Sequence, residues 1–258
     1  MGQKSAESGS WILRLTGETP RGIPLVCFPH AGGSATFFRP LARAMTDSAE
    51  VLGVQYPGRQ ERRTEPLIEN IEDLAKEISE ALQPWRTRPL VLFGHSMGAT
   101  IAFEVARRLE AEGDVQVSGL IASARRAPSV HRDDDIHRRD DSGLLAEVRA
   151  LDGTHSSLLD DEELVQMLLP AVRGDYKAIE TYRYAPGPPL RCPITALIGD
   201  ADPRVTVQEA RAWGQHTSGE FQICIFPGGH FYFNTQMAEV VNTISAHLKA
   251  FRDAAPGV

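Results

Sequence analysis

The chain carries, from Pro89 to Gly113, the sequence PLVLFGHSMGATIAFEVARRLEAEG. Its first six residues form a short run that is apolar throughout, which is typical of a strand buried on both faces. The residues from Met97 onward have a helical pattern, and Gly113 predicts the end of that helix. Between them lies the pattern G-x-S-x-G, in which glycines allow a tight turn from strand to helix. The segment therefore predicts a strand, a sharp turn that presents the Ser96 hydroxyl, and a helix that begins behind it.

Apolar runs of strand length alternate with helical patterns along the rest of the chain. Helical spacing is clearest in IENIEDLAKEISEAL, residues 68–82, and ATFFRPLARAM, residues 35–45, is a further candidate helix whose start Pro40 leaves open. This alternation predicts an α/β fold with a mostly parallel central sheet and helices on both faces. The predicted strands are Ile23 to Phe28, Glu50 to Gly58, Pro89 to Gly94, Val117 to Ser123, Pro193 to Gly199 and Phe221 to Phe226.

One stretch interrupts the alternation, because no strand pattern occurs between Ser123 and Cys192. It contains the charged run HRDDDIHRRDD and two helical patterns, and at about 65 residues it is far longer than an ordinary connection. We expect one domain over residues 1–258, with a lid insertion at 124–191. The charged run itself is typical of a solvated linker. A metal site built from His131, His137 and the neighbouring aspartates is the alternative, although their spacing matches no common ligand pattern.

Composition excludes several classes of function. The 258 residues are 42% hydrophobic and 24% charged, as in ordinary globular proteins, and the formal net charge is -7. An acidic chain is not expected to bind nucleic acid or an anionic membrane surface. No apolar run approaches the roughly 18 residues of a membrane span, and we expect a cytoplasmic protein. The three cysteines form no C-x-x-C pair, which favours small buried side chains over disulfides, a thiolate zinc site or a catalytic thiol.

A serine hydroxyl needs a general base before it can act as a nucleophile at neutral pH. His230 follows the last predicted strand in the loop FPGGH and is the candidate base. Two carboxylates, Asp200 and Asp202, follow the preceding strand in GDADPRV, which completes the chain order serine, acid, histidine. We favour Asp202 as the acid, because Asp200 fits a role in turning the chain out of the strand. Asp200 stays open as the alternative, and either residue could serve only in a turn or a helix cap.

Acyl transfer also needs donors for the negative oxygen of its intermediate. The backbone N–H of Met97, directly after the candidate nucleophile, is one expected donor. The N–H of Ala31, in the loop His30 to Gly33 after the first core strand, is the other, although the glycine pair there could form only a tight turn. The remaining histidines His155, His216 and His247 lie in helical or turn contexts and are expected at the surface.

Several longer motifs together resemble the stand-alone type II thioesterases that accompany polyketide synthases and nonribosomal peptide synthetases. They are CFPHAGGSATFF, QYPGRQERR, FGHSMGATIAFEVA, SARRAP, LPAVRGDYKAIETYRY, GDADPRV and FPGGHFYF. The resemblance covers nearly the whole chain and implies an α/β-hydrolase fold with Ser96 as nucleophile, His230 as base and Asp202 as the acid that orients it. It also implies Ala31 and Met97 as oxyanion donors, and a helical lid over an acyl chamber.

The resemblance further implies a substrate and a partner. Such enzymes release aberrant or stalled acyl groups from the phosphopantetheine arm of acyl or peptidyl carrier proteins, with no metal or organic cofactor, and we expect a monomer. Because such carriers are acidic, Arg125 and Arg126, after the strand Val117 to Ser123, are candidates for a carrier-docking patch. The arginines at positions 59, 62 and 63 form a second candidate patch. The alternative is that these arginines only pair with carboxylates of the lid.

Three other functions stay open at this stage. The same triad could serve a general esterase or an acyl-coenzyme A thioesterase, or it could belong to a cyclising thioesterase domain of a larger synthase. A binding protein built on a hydrolase scaffold is a third reading, which the intact set of nucleophile, base and acid disfavours.

Overall fold

Seven strands form one sheet in the computed structural model, which describes residues 10–17, 22–113, 115–151 and 161–253. The order across the sheet is β1-β3-β2-β4-β5-β6-β7, and every neighbouring pair is parallel except β1 with β3. The predicted class, a mostly parallel α/β sheet, is confirmed. The strands are β1 (Ile12–Arg14), β2 (Ile23–Phe28), β3 (Ala49–Val54), β4 (Leu90–His95), β5 (Val117–Ser123), β6 (Ile194–Gly199) and β7 (Phe221–Phe226).

Helices cover both faces of this sheet. In β4, Leu90 and Leu92 pack into the apolar core on one side, whereas Val91 and Phe93 pack into the core on the other. Alternation of this kind is expected for a strand buried on both faces. Helices α2 and α3 cover the first face, and α1 and α7 cover the second. The α-helices of the described chain are α1 (Arg39–Ala44), α2 (Ile71–Ala81), α3 (Met97–Glu112), α4 (Asp141–Ala150), α5 (Glu162–Thr181), α6 (Val207–Arg211) and α7 (Met237–Asp253).

The structure differs from the sequence predictions at three elements. Strand β1, which pairs antiparallel at the sheet edge, was not expected, because three residues are too few for a clear pattern. Strand β3 ends at Val54, before the predicted Gly58. The helix expected at 35–45 is divided into a 3-10 turn, Ala35–Phe38, and α1, with Pro40 in the first turn of α1. Proline fits there because the first N–H groups of a helix have no partner within it.

The segment between β5 and β6 forms an additional layer. Its helices α4 and α5 carry a small apolar cluster of their own, which includes Leu144, Val165 and Val172. Residues 152–160 of the predicted insertion 124–191, and with them His155, lie outside the described residues. His131 and His137 contact different carboxylates, those of Asp133 and Glu180, rather than a shared centre. Within the described ranges, no helix has the length and apolar composition that would let it span a bilayer.

Two histidines expected at the surface are buried instead. His216 packs edge-on against the rings of Phe103 and Tyr184, and its Nε2 lies 2.8 Å from the hydroxyl of Ser129. His247, on α7, faces Thr195 of β6. The expectation was wrong because an imidazole can be buried once one of its nitrogens has a partner, and a turn or helix pattern does not reveal such partners. Burial raises the pKa of each cysteine thiol, as expected for inert side chains.

Candidate functional site

Ser96 lies on a sharp turn between β4 and α3, in the backbone conformation φ 54°, ψ -121°. A Cβ added at Gly94 would lie 2.2 Å from the carbonyl oxygen of Gly98, and one added at Gly98 would lie 2.1 Å from that of Phe28. Only residues without side chains fit at these two positions. The turn is also fixed to the neighbouring strand, since the Ser96 N–H donates to the Ser123 carbonyl at 2.8 Å.

His230 lies in the loop after β7, and its Nε2 is 2.9 Å from the Oγ of Ser96. Its Nδ1 is 2.9 Å and 3.0 Å from the two carboxylate oxygens of Asp202. A carboxylate only accepts, so Nδ1 carries the proton and the Nε2 lone pair faces the serine hydroxyl. Both His230 and Asp202 are buried, which shields their hydrogen bond from water. The structure thus brings the three predicted residues together in the geometry that proton removal from Ser96 needs.

Asp200 lies elsewhere, although it is only two residues from Asp202. Its Oδ1 accepts from the Gly228 N–H at 2.9 Å, and the side chain is exposed. Asp202 is oriented by the backbone instead, because its Oδ1 also accepts from the Arg204 N–H at 2.8 Å. Asp200 therefore joins the turns that follow β6 and β7, whereas Asp202 faces the imidazole.

The two predicted oxyanion donors, Ala31 and Met97, line one cavity with Ser96 and His230. Its volume is about 40 Å³. Neither the Ala31 N–H nor the Met97 N–H has an acceptor among the residues that the structure describes. Met97 opens α3, so the positive end of that helix faces the same space. Two free donors beside a serine hydroxyl are what a tetrahedral oxyanion requires.

Two further histidines surround the candidate base in a cluster with aromatic rings. The His30 ring lies 4.7 Å from that of Phe37, and the His95 ring lies 5.4 Å from that of His230. Burial, and then the charge of His230, lower the pKa of His30 to about 3. The same two causes, in the same order, hold the pKa of His95 well below its usual value. Both rings are therefore neutral near pH 7.

The two candidate docking arginines both line the cavity beside Ser96, but their partners differ. Arg126 is buried, and its Nη2 lies 3.2 Å from the Asp134 carboxylate of the insertion. For Arg126 the structure thus favours the alternative, pairing with a lid carboxylate, over an outward-facing patch. Arg125 lines the cavity beside Ser96, its carbonyl accepts from the Trp213 indole, and burial lowers the pKa of its guanidinium to about 9.

The three arginines of the second candidate patch also differ in their surroundings. Arg59 is buried against Asp175, and Arg62 is buried with its Nε 3.0 Å from the Glu65 carboxylate. Only Arg63 of the three is exposed. A cluster of arginines in the sequence therefore does not form one charged surface here.

Sequence reasoning missed one residue at this site. Asp175, on α5, accepts from the backbone N–H of Gly32 at 2.7 Å, directly beside Ala31. Its only signal in the sequence is its place in the motif LPAVRGDYKAIETYRY, which does not reveal what it contacts.

Comparison with known proteins identifies the family. The model of the thioesterase domain family matches residues 23–248. The chain is 47% identical over 251 residues to the thioesterase PikA5 of Streptomyces venezuelae, which covers 97% of this chain and 89% of that protein. It is 49% identical over 233 residues to the probable cadicidin biosynthesis thioesterase of Streptomyces griseus, covering 90% of this chain and 64% of that longer protein.

Solved structures agree with this assignment. The type II thioesterase BorB from the borrelidin biosynthetic cluster superposes with a TM-score of 0.87 at 51% identity, over 95% of this chain and 100% of that chain. RedJ, the thioesterase of the prodiginine pathway in Streptomyces coelicolor, superposes with a TM-score of 0.83 at 34% identity, over 90% of each chain. The chain therefore belongs to the thioesterase domain family and is a hydrolase with the α/β-hydrolase fold.

Proposed function

We propose that this enzyme is a stand-alone type II thioesterase that removes aberrant or stalled acyl groups from the phosphopantetheine arm of carrier proteins. The observation that carries the proposal is the line of contacts from Ser96 through His230 to Asp202 within a thioesterase-family fold. The relatives named for the borrelidin and prodiginine pathways support the class of substrate.

The first half of the reaction forms an acyl-enzyme. The Oγ of Ser96 attacks the thioester carbonyl while the Nε2 of His230, 2.9 Å away, takes its proton. The carboxylate of Asp202 holds the ring in the required tautomer and stabilises the imidazolium. The N–H groups of Ala31 and Met97 hold the negative oxygen of the tetrahedral intermediate. When this intermediate collapses, the carbon–sulfur bond breaks, and the pantetheine thiol leaves with the proton from His230.

The second half releases the acyl group. Water enters where the thiol has left, and His230 takes a proton from it as it attacks the acyl-serine carbonyl. The same two N–H groups hold the second oxyanion, and the Ser96 oxygen leaves with that proton. The free acid departs and the starting state of the triad is restored.

We infer that the partner is an acyl or peptidyl carrier protein and that the enzyme works in the cytoplasm, where such synthases would supply it. Residues 124–191 act as a lid insertion within a single domain of residues 1–258. Support comes from the apolar cluster of α4 and α5, of which Val165 and Val172 line a cavity together with the loop at Ala31. Docking of the carrier through Arg125 and Arg126 is the weaker alternative, because Arg125 lines the cavity beside Ser96 and Arg126 is buried.

The test is a panel of carrier proteins loaded with acyl groups of different length, each assayed with wild type and Ser96→Ala. We expect wild type to release free acid and the variant to be inactive. The same acyl groups on coenzyme A and on free pantetheine serve as comparison substrates. Equal kcat/KM on carrier and on small thiols would instead identify a general thioesterase or esterase.

A further inference from the structure

The carboxylate of Asp175 connects helix α5 of the insertion with the loop that contains Ala31. Asp175 is 3% exposed, and its Oδ2 accepts the Gly32 N–H at 2.7 Å. The same oxygen pairs with the guanidinium of Arg59, which is also buried. The charge of Asp175 is thus balanced by an arginine while it binds the backbone of a loop far away in the sequence.

Arg59 is itself fixed by the segment that follows β3. Its Nη1 donates to the Pro57 carbonyl at 2.6 Å, and its guanidinium lies 5.2 Å from the centre of the Tyr56 ring. The hydroxyl of Tyr56 in turn donates to the carbonyl of Pro29 at 3.1 Å. The segment 56–59 therefore holds the loop at Pro29 directly and at Gly32 through Asp175.

The direction of the Ala31 N–H follows from the peptide group to which it belongs. That N–H shares a planar trans peptide with the carbonyl of His30, so the two groups point in opposite directions. The His30 carbonyl accepts from the Gly33 N–H at 2.9 Å, which turns it into the loop and leaves the Ala31 N–H on the side of the cavity. The Gly32 N–H, held by Asp175, fixes the next peptide along.

Helix α5 also packs directly on this loop. Gly32 has a left-handed conformation, φ +75°, and a Cβ there would lie 2.6 Å from the Cγ2 of Val172. Val172 and Asp175 lie one turn apart on α5, so packing and hydrogen bonding reach the loop from the same helix face.

We propose that Asp175 is a positioning residue for the oxyanion hole, and that α5 of the insertion, when seated, aims the Ala31 N–H at the reacting carbonyl. This inference rests on the proposed role of Ala31 and Ser96. It extends that role by making a helix outside the sheet part of the geometry that stabilises the intermediate. Displacing an oxyanion donor by about 1 Å lowers the rate about 100-fold. Loss of the contact from Asp175 to Gly32 is therefore expected to change kcat more than KM.

The experiment measures kcat for each working site. One sample is treated with an organophosphonate, which titrates Ser96 to completion and gives the number of working sites. Hydrolysis of p-nitrophenyl acetate by an untreated sample then gives kcat per titrated site and KM. We expect Asp175→Ala to lower kcat per site about 100-fold with KM within about threefold of wild type. Asp175→Asn keeps an oxygen that can accept from Gly32, so we expect partial rescue, with a loss of about 10-fold.

The matched control is Lys177→Met, two residues further along α5. Lys177 pairs with Glu69 and ties the same helix to the body of the protein without touching the loop. We expect its kcat per site to stay within about twofold of wild type. A purely structural role for Asp175 would lower the number of titrated sites and leave kcat per site unchanged, which would overturn the proposal.

Two further outcomes separate this proposal from the proposed function. If Asp175→Ala fails to fold, Asp175→Asn decides, and a kcat per site within about twofold of wild type overturns the proposal. If the carrier substrates are not hydrolysed but the ester shows the expected losses, the carrier function fails and the positioning role stands. A wild-type chain in which Ser96 cannot be titrated would overturn both.

Discussion

Asp202 lies against His230 with a carboxylate oxygen 2.9 Å from Nδ1, whereas Asp200, two residues earlier, faces the Gly228 N–H. Two carboxylates of one loop therefore have different surroundings, and substituting each one distinguishes their roles. We expect Asp202→Asn to lower kcat by about 10⁴-fold, because an amide in that place favours the wrong tautomer of the imidazole. Asp200→Asn should lower it less than about fivefold, since an amide oxygen can still accept from Gly228. Steady-state hydrolysis of p-nitrophenyl acetate measures both, and similar losses would contradict the assignment of the acid.

The turn at Ser96 gives a prediction about stability. Gly94→Ala and Gly98→Ala each place a Cβ within about 2.2 Å of a backbone carbonyl oxygen, and backbone cannot move aside as a side chain can. We expect each substitution to lower the free energy of unfolding by about 3 kcal/mol or more. Gly17→Ala is the control, because nothing lies within 4 Å of a Cβ there. Urea unfolding measures all three, and equal midpoints would show that the turn relaxes freely.

The low pKa of His30 predicts that the folded protein loses stability in acid. In the unfolded chain the pKa of His30 is near 6.5, and in the folded chain burial lowers it to about 3. Between these values the unfolded state binds a proton that the folded state excludes, so the free energy of unfolding falls as pH falls from 6.5 toward 3. The contribution of His30 is at most about 1.4 kcal/mol per pH unit.

His30→Phe tests this directly, because phenylalanine keeps a ring between Phe37 and Phe231 and cannot titrate. We expect the unfolding free energy, measured in urea at pH 7 and pH 5, to fall less in the variant than in wild type. An identical fall would mean that other groups carry the whole pH dependence.

The position of Arg125 gives a prediction about carrier-bound and pantetheine-bound substrates. Because it lines the cavity beside Ser96, we expect Arg125→Gln to change kcat/KM for carrier-bound and pantetheine-bound acyl groups by the same factor. The exposed Arg63 is the comparison, and Arg63→Gln should leave both within about twofold. The measurement is kcat/KM at low and high salt. A loss confined to the carrier substrate, and weaker at high salt, would instead support docking through Arg125.

Most of the sheet could be predicted from sequence because its strands carry strong local signals. The apolar runs at β2, β5 and β7 match the observed strands residue for residue. Strands β2 and β5 are buried on both faces, which favours apolar residues. Strand β7 lies at the sheet edge and is only partly buried, and its aromatic and β-branched residues provide the signal. Edge strand β1 gave no such signal, and its pairing with β3 depends on contacts outside its own residues.

The candidate site likewise contains residues that local sequence patterns predict and residues that only tertiary packing reveals. Ser96, His230 and Asp202 could be proposed from sequence because each follows a strand, and parallel strands bring their carboxyl ends to one edge. The burial of Arg126 and the contact from Asp175 to Gly32 could not, because both depend on how the insertion packs on the sheet. No local pattern records that packing.

The backbone at Ser96 has a consequence for how this enzyme could change over time. Its conformation, φ 54° and ψ -121°, is one that glycine adopts far more easily than serine, at a difference of about 1–3 kcal/mol. The proposed nucleophile is therefore also a residue that lowers the stability of the folded chain. A variant selected only for thermal stability would gain from glycine at position 96, but it would lose the proposed nucleophile. The serine at this strained position therefore indicates selection for activity rather than for stability.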